Sequence, residues 1–235
     1  MYRLLAFDLD GTLTQHKTPL DAEHRAALDR LGAKYKLLMV GAGQCVRIFN
    51  QMHYPIDIIG NDGMQYAEYD PAEDTVRLIR DDQVPCDREK TERLVTAFRR
   101  KHGFTCFSGD NVEYHVSGCI TIPILGTTAK LEDKLAFDPD RRKRRAIYQE
   151  VAEAFPDYNV FVGGTSSYDL APRPFDKYYA LDAYCAQHGI RHQEVVYFGD
   201  DYGTGGNDEA VFRSDIRAVP VDDYRDFPKI AEAFL

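Results

Sequence analysis

Three kinds of feature are missing from this sequence, and each absence excludes a class of protein. The five cysteines are scattered and form no Cys-x-x-Cys pair, so neither a disulfide framework nor a structural zinc site is expected. No apolar run approaches the roughly 20 residues that a membrane span needs, and the apolar N-terminal segment is too short for a signal peptide. We therefore expect a cytoplasmic protein with no membrane partner.

An excess of positive charge is also missing. The formal net charge is −9 at pH 7, whereas binding to nucleic acid or to an anionic membrane needs a basic face. The one dense basic segment, residues 141–145, lies in a predicted helix that spreads its charges around the circumference, and we interpret it as a solvated face. A small anionic substrate remains compatible with this charge if a metal ion or a lysine reverses the sign locally.

Strands and helices alternate near both ends of the chain. Short apolar runs predict buried strands at 4–9, 36–40, 56–59 and 195–198. Helical spacing predicts helices between them, one of which begins after Asp21 and another at Lys177. This alternation predicts a doubly wound, mainly parallel, Rossmann-like α/β core.

The central part of the chain follows a different pattern. Strands are predicted at 75–79, 111–116, 119–125, 160–162 and 167–170. Charged helices are predicted at 88–101 and 141–155. Because runs of strands with separate helices are typical of an α+β arrangement, we expect an α+β domain at 81–174 inserted into a core made of 1–80 and 175–235.

Two carboxylates follow the first predicted strand. Asp8 and Asp10 are two residues apart, so a strand period of two would point them the same way at the edge where open α/β sheets bind ligands. Gly11 permits a sharp turn that turns backbone amides toward an anion. Crowded carboxylates repel one another, which suggests an oxygen-ligated cation such as Mg²⁺. Taken alone, the pair is equally compatible with the solvated acids of an Asp-Gly turn.

A second acidic segment follows the strand predicted at 195–198. It contains Asp200, Asp201, Asn207 and Asp208, and it ends at the same edge of a parallel sheet as the first. So many carboxylates could not meet there without a cation. The sequence therefore predicts that the two acidic segments share one metal site.

Two further segments are candidate phosphate ligands. Gly41, Ala42 and Gly43 lead from a strand into a helix, and such an entry offers free backbone amides to an anion. Lys177 lies at the start of a helix and is a candidate partner for phosphate or for Asp8. A lone lysine at this position is also typical of a solvated surface.

These segments, in this order, resemble the motifs of the haloacid dehalogenase superfamily. Asp-Leu-Asp-Gly-Thr at 8–12 matches its nucleophile signature, and Lys177 and the second acidic segment stand where its third and fourth motifs lie. The insertion falls between the second and third motifs, as the large cap domain of one branch does. Within the superfamily the chain is most similar to the eukaryotic-type phosphomannomutases, on residues 40–43, 61–66, 163–169, 175–177 and 198–208.

The resemblance implies a role for each candidate residue at the phosphate. Asp8 would attack phosphorus and form an aspartyl-phosphate, and Asp10 would act as general acid and base. Lys177 and the backbone of residues 41–43 would bind the phosphate. The substrate would be a small phosphorylated metabolite.

The resemblance also implies a magnesium site. Mg²⁺ would be held by Asp8, Asp200 and the backbone carbonyl of Asp10. Asn207 and Asp208 would orient the ligands of the ion.

The sequence departs from this family in two places. Gly41 replaces the hydroxyl residue of the second motif and Gly43 replaces the mutases' serine, which predicts a weaker grip on phosphate in a working site. In the cap domain, His115, Thr127 and Lys134 stand where the mutases place the arginines that hold a distal phosphate. Neither His nor Thr supplies the planar fork of a guanidinium.

The remaining candidate substrate ligands of the cap are Ser167 and Asp169, which match residues that contact the sugar; together with His115 and Lys134 they form the predicted cap site. With the distal arginines absent, we favour hydrolysis of a sugar phosphate or similar metabolite over transfer between two sugar hydroxyls. A phosphomannomutase or phosphoglucomutase, and a non-enzymatic sugar-phosphate-binding protein, are the alternatives. A homodimer through the cap is expected by analogy alone.

Overall fold

A computed structural model describes all 235 residues. The strands are β1 (Leu4–Phe7), β2 (Lys36–Val40), β3 (Asp57–Gly60), β4 (Gln65–Asp70), β5 (Thr75–Asp81), β6 (Glu113–Tyr114), β7 (Ile120–Pro123), β8 (Tyr158–Phe161), β9 (Ser167–Pro172), β10 (Val195–Gly199) and β11 (Arg217–Pro220). The α-helices are α1 (Ala22–Gly32), α2 (Cys45–Met52), α3 (Arg88–His102), α4 (Leu131–Phe137), α5 (Arg142–Ala146), α6 (Tyr148–Ala154), α7 (Lys177–His188), α8 (Glu209–Phe212) and α9 (Phe227–Ala231). None of these helices has the length and apolar character needed to cross a membrane.

The first of two compact units comprises residues 1–81, 176–203 and 208–235. It contains a seven-stranded sheet in the order β11-β10-β1-β2-β3-β4-β5. The strands from β11 to β3 pair in parallel, and β4 and β5 extend the sheet as an antiparallel edge. Alternate residues of β1 pack into two separate cores, Leu5 and Phe7 on one face and Leu4 and Ala6 on the other. Burial on both faces explains why the parallel strands read as continuous apolar runs.

The start of α1 shows how local sequence defines an element of this unit. The Asp21 carboxylate accepts the backbone amide of His24 at 2.9 Å and so caps the helix. The buried His24 ring lies between Asp21 and the carbonyl of Tyr224, at 2.8 Å from each. The cap predicted at Asp21 is therefore present, and the same histidine ties the helix to the C-terminal segment.

The second unit comprises residues 82–175 and 204–207 and contains an antiparallel sheet in the order β6-β7-β9-β8. One face of this sheet packs against helices through buried side chains that include Val95 and Phe98 of α3 and Val151 of α6. The opposite face carries polar residues, because Thr121 of β7 pairs with Asp169 of β9. A mainly parallel α/β core and a separate α+β unit confirm the predicted fold class.

Several elements differ from those expected. The strand predicted at 111–116 forms only the two residues of β6, and the strand at 75–79 belongs to the seven-stranded sheet as β5. The helix predicted at 141–155 is broken at Ile147, where φ is −113° and ψ is 9°. Strands β4 and β11 and helix α4 were not anticipated, because their short sequences carry no clear periodicity.

The interpretation of residues 141–145 as a solvated face is wrong for Arg144. Its side chain is 1% exposed, and its Nε donates to Asp138 Oδ2 at 2.9 Å. Its Nη1 donates to the carbonyls of Gly163 and Ser167. Spacing along a helix could not reveal this burial, because the partners lie up to 23 residues away.

Candidate active site

Asp8 lies immediately after β1 and is almost fully buried. Its backbone amide donates to the carbonyl of Phe198 at 2.9 Å, so the sheet fixes its position. Its carboxylate accepts a hydrogen bond from Lys177 Nζ at 2.6 Å. Burial raises the pKa of Asp8, the Lys177 ammonium opposes this, and Asp208 and Asp200 raise it further. The net effect raises the pKa of Asp8 well above its ordinary value, so its ionised form depends on the charge of Lys177.

Lys177 is the first residue of α7, which begins there because the Asp176 side chain accepts the amide of Tyr179. It is 1% exposed, which excludes the solvated surface lysine left open above. Its Nζ lies 2.6 Å from both Asp8 Oδ1 and Asp208 Oδ1. Burial by itself lowers the pKa of Lys177, but the carboxylates of Asp208 and Asp8 raise it well above the ordinary value. The ammonium form is therefore the stable one in the site.

Asp208 is fully buried and accepts four hydrogen bonds. Its Oδ1 accepts from Lys177 and from the hydroxyl of Tyr197, and its Oδ2 accepts the amides of Asp200 and Asp201. Tyr197 was not identified from the sequence. The sequence does place this tyrosine in a strand that is buried on both faces. Because a buried hydroxyl needs a hydrogen-bond partner, this position could have indicated a polar contact.

Asp8, Asp200 and Asp208 place carboxylate oxygens within 4.8 Å of one another. Asp200 approaches so closely that a Cβ at Gly11, where φ is +104°, would overlap its carboxylate. Three crowded carboxylates suit a hard divalent cation. Both oxygens of Asp208 accept protein donors. Asp8 Oδ1 accepts from Lys177, and Asp200 Oδ1 accepts from the Thr12 hydroxyl at 3.3 Å. Asn207 lies in the 204–207 loop, which belongs to the second unit.

Asp10 has a separate set of partners. Its Oδ1 accepts the backbone amide of Lys17 at 2.7 Å and Nε2 of Gln51 at 2.8 Å. Its Oδ2 lies 3.7 Å from Nη2 of Arg47 and 4.0 Å from Nδ1 of His16. Neither Gln51 nor Arg47 was singled out from the sequence, because a helical Arg and Gln four residues apart are typical of a solvated face.

The period-two argument for Asp10 does not apply, since β1 ends at Phe7 and Asp10 lies in the following turn, bridged to Thr14. Its side chain is consequently held by α2, whereas Asp8 is held by α7. This arrangement gives the two acids different environments.

The glycine loop offers fewer amides than expected. The amide of Gly41 donates to the carbonyl of Ile59 at 2.9 Å and is engaged by the sheet. The amides of Ala42 and Gly43 donate to no protein acceptor and are available to an anion. The predicted phosphate loop therefore reduces to these two donors.

Within the second unit, three of the four predicted cap residues meet around Thr121. Asp169 Oδ1 accepts hydrogen bonds from Thr121 Oγ1 at 2.9 Å and from Ser167 Oγ at 3.4 Å. His115 Nε2 lies 3.3 Å from the same threonine hydroxyl. Burial raises the pKa of Asp169, and the hydrogen bond from Thr121 opposes the rise. Thr121 was missed because its role depends on cross-strand pairing, which sequence spacing does not reveal.

Lys134 is not part of this group. Its Nζ donates to the backbone carbonyl of Thr127 at 3.1 Å, and the Thr127 hydroxyl accepts the amide of Asp110 at 2.9 Å. Two of the positions predicted to replace distal-phosphate arginines are thus engaged with the protein itself.

The fold and the buried group of Asp8, Lys177 and Asp208 are in agreement with a phosphoryl-transfer enzyme of the haloacid dehalogenase type. Solved structures agree with the fold. An N-terminally truncated, IMP-bound IMP-nucleotidase of Plasmodium falciparum is 14% identical, with a TM-score of 0.72 over 99% of this chain and 68% of that chain. A haloacid dehalogenase-like hydrolase of B. subtilis is 16% identical, with a TM-score of 0.63 over 98% of this chain and 93% of that chain.

The chain belongs to the eukaryotic phosphomannomutase family, whose model matches residues 104–227, just over half of the 235 residues. The phosphomannomutase of Saccharomyces cerevisiae is 26% identical over 89% of this chain and 84% of its own length. Phosphomannomutase 1 of Homo sapiens is 24% identical over 92% of this chain and 85% of its own length. The names of these relatives are those of phosphoryl-transfer enzymes.

Proposed function

We propose that the protein is a Mg²⁺-dependent phosphatase that hydrolyses a small phosphorylated metabolite, such as a sugar phosphate, through an aspartyl-phosphate on Asp8. The observation that carries this proposal is the buried hydrogen bond between Asp8 and Lys177. A carboxylate hydrogen-bonded to an ammonium group, directly after a parallel strand, is placed to act as a nucleophile.

The proposed reaction has two steps. In the first, a carboxylate oxygen of Asp8 attacks phosphorus, and the bond from phosphorus to the leaving alcohol oxygen breaks as Asp10 protonates that oxygen. In the second, Asp10 takes a proton from water, which attacks the aspartyl-phosphate, releases orthophosphate and restores Asp8. Gln51 and the amide of Lys17 hold Asp10 in one orientation during both steps.

The carboxylates of Asp8 and Asp200 would hold Mg²⁺, and when bound the ion supplies positive charge to the oxygens of the transferring group. Asp208 would orient Asp200 through the amides of the loop after β10. Asn207 and the backbone carbonyl of Asp10 remain proposed contributors to this site.

Features of the second unit favour hydrolysis over transfer of the phosphoryl group to a second hydroxyl. A mutase must retain a bisphosphate between half-reactions and therefore needs a second strong anion site. Two cationic side chains of this unit do not offer such a site. Lys134 donates to a backbone carbonyl. Nη2 of Arg144 has no protein partner, but it is shielded from solvent. The polar face is centred on the Asp169 carboxylate, which repels a phosphate. Phosphomannomutase activity is the second candidate, favoured by the family match and by the relatives' names.

Phosphorus NMR distinguishes the phosphatase from the phosphomannomutase. Purified protein is incubated with Mg²⁺ and mannose 1-phosphate, with and without glucose 1,6-bisphosphate. We expect orthophosphate to accumulate at a rate that does not depend on the bisphosphate, and Asp8→Asn to abolish it. A 6-phosphate signal that requires the bisphosphate would replace the phosphatase with a mutase. If a panel of hexose, pentose and triose phosphates gives neither product, the proposal fails.

A further inference from the structure

The guanidinium of Arg47 occupies the space that a side chain at Gly43 would fill. Arg47 is the third residue of α2, directly after the glycine loop. A Cβ built on Gly43 would overlap Nη2, Nε and Cζ of Arg47. The absence of a side chain at Gly43 is therefore what allows the arginine to lie against the loop.

The same guanidinium is oriented toward the candidate active site. Its Nη1 donates to Gln51 Oε1 at 2.9 Å, and Gln51 in turn donates from Nε2 to Asp10. Its Nη2 lies 3.7 Å from Asp10 Oδ2, which is beyond hydrogen-bonding distance, so this nitrogen keeps its donor capacity. The side chain is 43% exposed and accessible to a ligand.

The charges of the site call for such a cation. Lys177 is already shared between the carboxylates of Asp8 and Asp208. Asp200 adds a third negative charge to that cluster. With Lys177 and a bound Mg²⁺ the three carboxylates would be about neutralised, so the two charges of an entering phosphate dianion would still need a positive partner. Arginine suits the purpose, since its planar fork can donate two parallel hydrogen bonds to phosphate oxygens.

We propose that Arg47 is a phosphate-binding residue, which donates to non-bridging oxygens of the phosphoryl group beside the amides of Ala42 and Gly43. This inference rests on the proposed phosphoryl transfer at Asp8. With Arg47 as an additional donor, the glycine loop need not bind phosphate more weakly than a loop with a hydroxyl residue. Gly43 and Arg47 then act as a pair, in which the small residue makes room for the large one.

Four proteins test the pair: wild type, Arg47→Ala, Gly43→Ser and the double variant. The readouts are orthophosphate binding by isothermal titration calorimetry in Mg²⁺, and kcat and KM with para-nitrophenyl phosphate. We expect Arg47→Ala to weaken orthophosphate binding by about tenfold or more, with KM rising in parallel. Gly43→Ser alone should weaken binding as well, because its Cβ displaces the guanidinium, the far end of a flexible side chain.

In the double variant the serine hydroxyl can donate to phosphate without meeting the arginine. We expect binding to recover above that of Arg47→Ala, so the two changes are not additive. Arg47→Lys should be intermediate, because it keeps the charge and loses the fork. Arg77→Ala, which removes an exposed arginine on the edge strand β5, should bind as wild type does.

Orthophosphate binding within about twofold of wild type in Arg47→Ala would overturn the proposal. Additive losses in the double variant would overturn the pairing with Gly43. If wild type shows no turnover but binds orthophosphate in an Arg47-dependent manner, the proposed phosphatase fails and this inference stands. Thermal unfolding of each variant checks that it is folded.

Discussion

Lys177 illustrates, at the scale of single residues, how this protein tolerates a buried charge. Its ammonium lies between two carboxylates, so the net charge of the trio is smaller than that of the acids alone. Removing one member of such a group leaves the others buried without compensation. The residue therefore contributes to stability as well as to the proposed chemistry.

Lys177→Met should lower the free energy of unfolding by about 3–5 kcal/mol and abolish phosphoryl transfer. The pKa of Lys177 is raised in the folded state, so its contribution is complete below the ordinary lysine value of about 10.4 and is lost only at more alkaline pH. Urea unfolding between pH 6 and 9 should therefore show a constant difference from wild type. Lys229→Met, at an exposed lysine, is the control, and an equal effect of both variants would contradict the prediction.

The cysteines should differ sharply in reactivity. Burial raises the pKa of Cys45 to about 12 and that of Cys185 to about 11, whereas Cys106 is exposed. Because the thiolate is the reactive form, N-ethylmaleimide at pH 8 should label Cys106 first and the two buried thiols only after denaturation. Peptide mass spectrometry over time measures this, with Cys106→Ser as control. Rapid labelling of Cys45 in the native protein would show that the α2–β3 region opens.

At the scale of elements, the second unit contains a buried ion pair that joins α5 to Asp138, the residue that follows α4. Arg144 and Asp138 are both shielded from solvent, and Arg144 also holds the carbonyls of Gly163 and Ser167. Ser167 Oγ and Thr121 Oγ1 then donate to Asp169. The position of the candidate substrate residues thus follows from a helix that does not itself contribute to the polar face.

Arg144→Met should destabilise the protein by about 3–5 kcal/mol, because Asp138 is left buried without a cation. Adding Asp138→Asn should recover part of this loss, since the amide carbonyl can still accept hydrogen bonds without carrying charge. Urea unfolding gives the double-mutant cycle. Arg142→Met, at a side chain that is 88% exposed, should change stability by less than about 0.5 kcal/mol. Purely additive losses in the cycle would argue against the pair.

At the scale of the whole molecule, a net charge of −9 is compatible with the proposed anion site because cations are placed locally. The carboxylates of Asp8, Asp200 and Asp208 repel one another, and a divalent cation would reduce this repulsion. Stability and activity should therefore respond in opposite directions when the charge of Asp200, which does not pair with Lys177, is removed.

Asp200→Asn should raise Tm in EDTA by about 2–4 °C, because one repulsive charge disappears from the cluster. Adding Mg²⁺ should raise Tm of wild type but not of the variant, and activity should fall on the order of 100-fold or more. Differential scanning calorimetry with and without Mg²⁺ measures the first two effects. Glu73→Gln, in an exposed turn, is the matched control. A variant that Mg²⁺ stabilises as strongly as wild type would remove Asp200 from the metal site.

The sequence by itself determined the architecture and the centre of the candidate site. Doubly buried strands read as unbroken apolar runs, and residues that follow parallel strands must share one sheet edge, so the approach of Asp8, Asp200 and Asp208 was predictable. Their chemical roles stay predictions. The family resemblance was confirmed because its motifs are specific and ordered along the chain.

Only the tertiary structure decided which neighbours those residues have. Tyr197 donates to Asp208, and Thr121 donates to Asp169 on the neighbouring strand. Arg144 is buried by partners that are distant in sequence. Arg47 lies against Gly43 because the loop leaves room for it. Periodicity describes one element at a time, whereas such contacts depend on which elements pack together. Pairing and packing, rather than residue type, therefore separate the residues of the candidate site from identical ones on the surface.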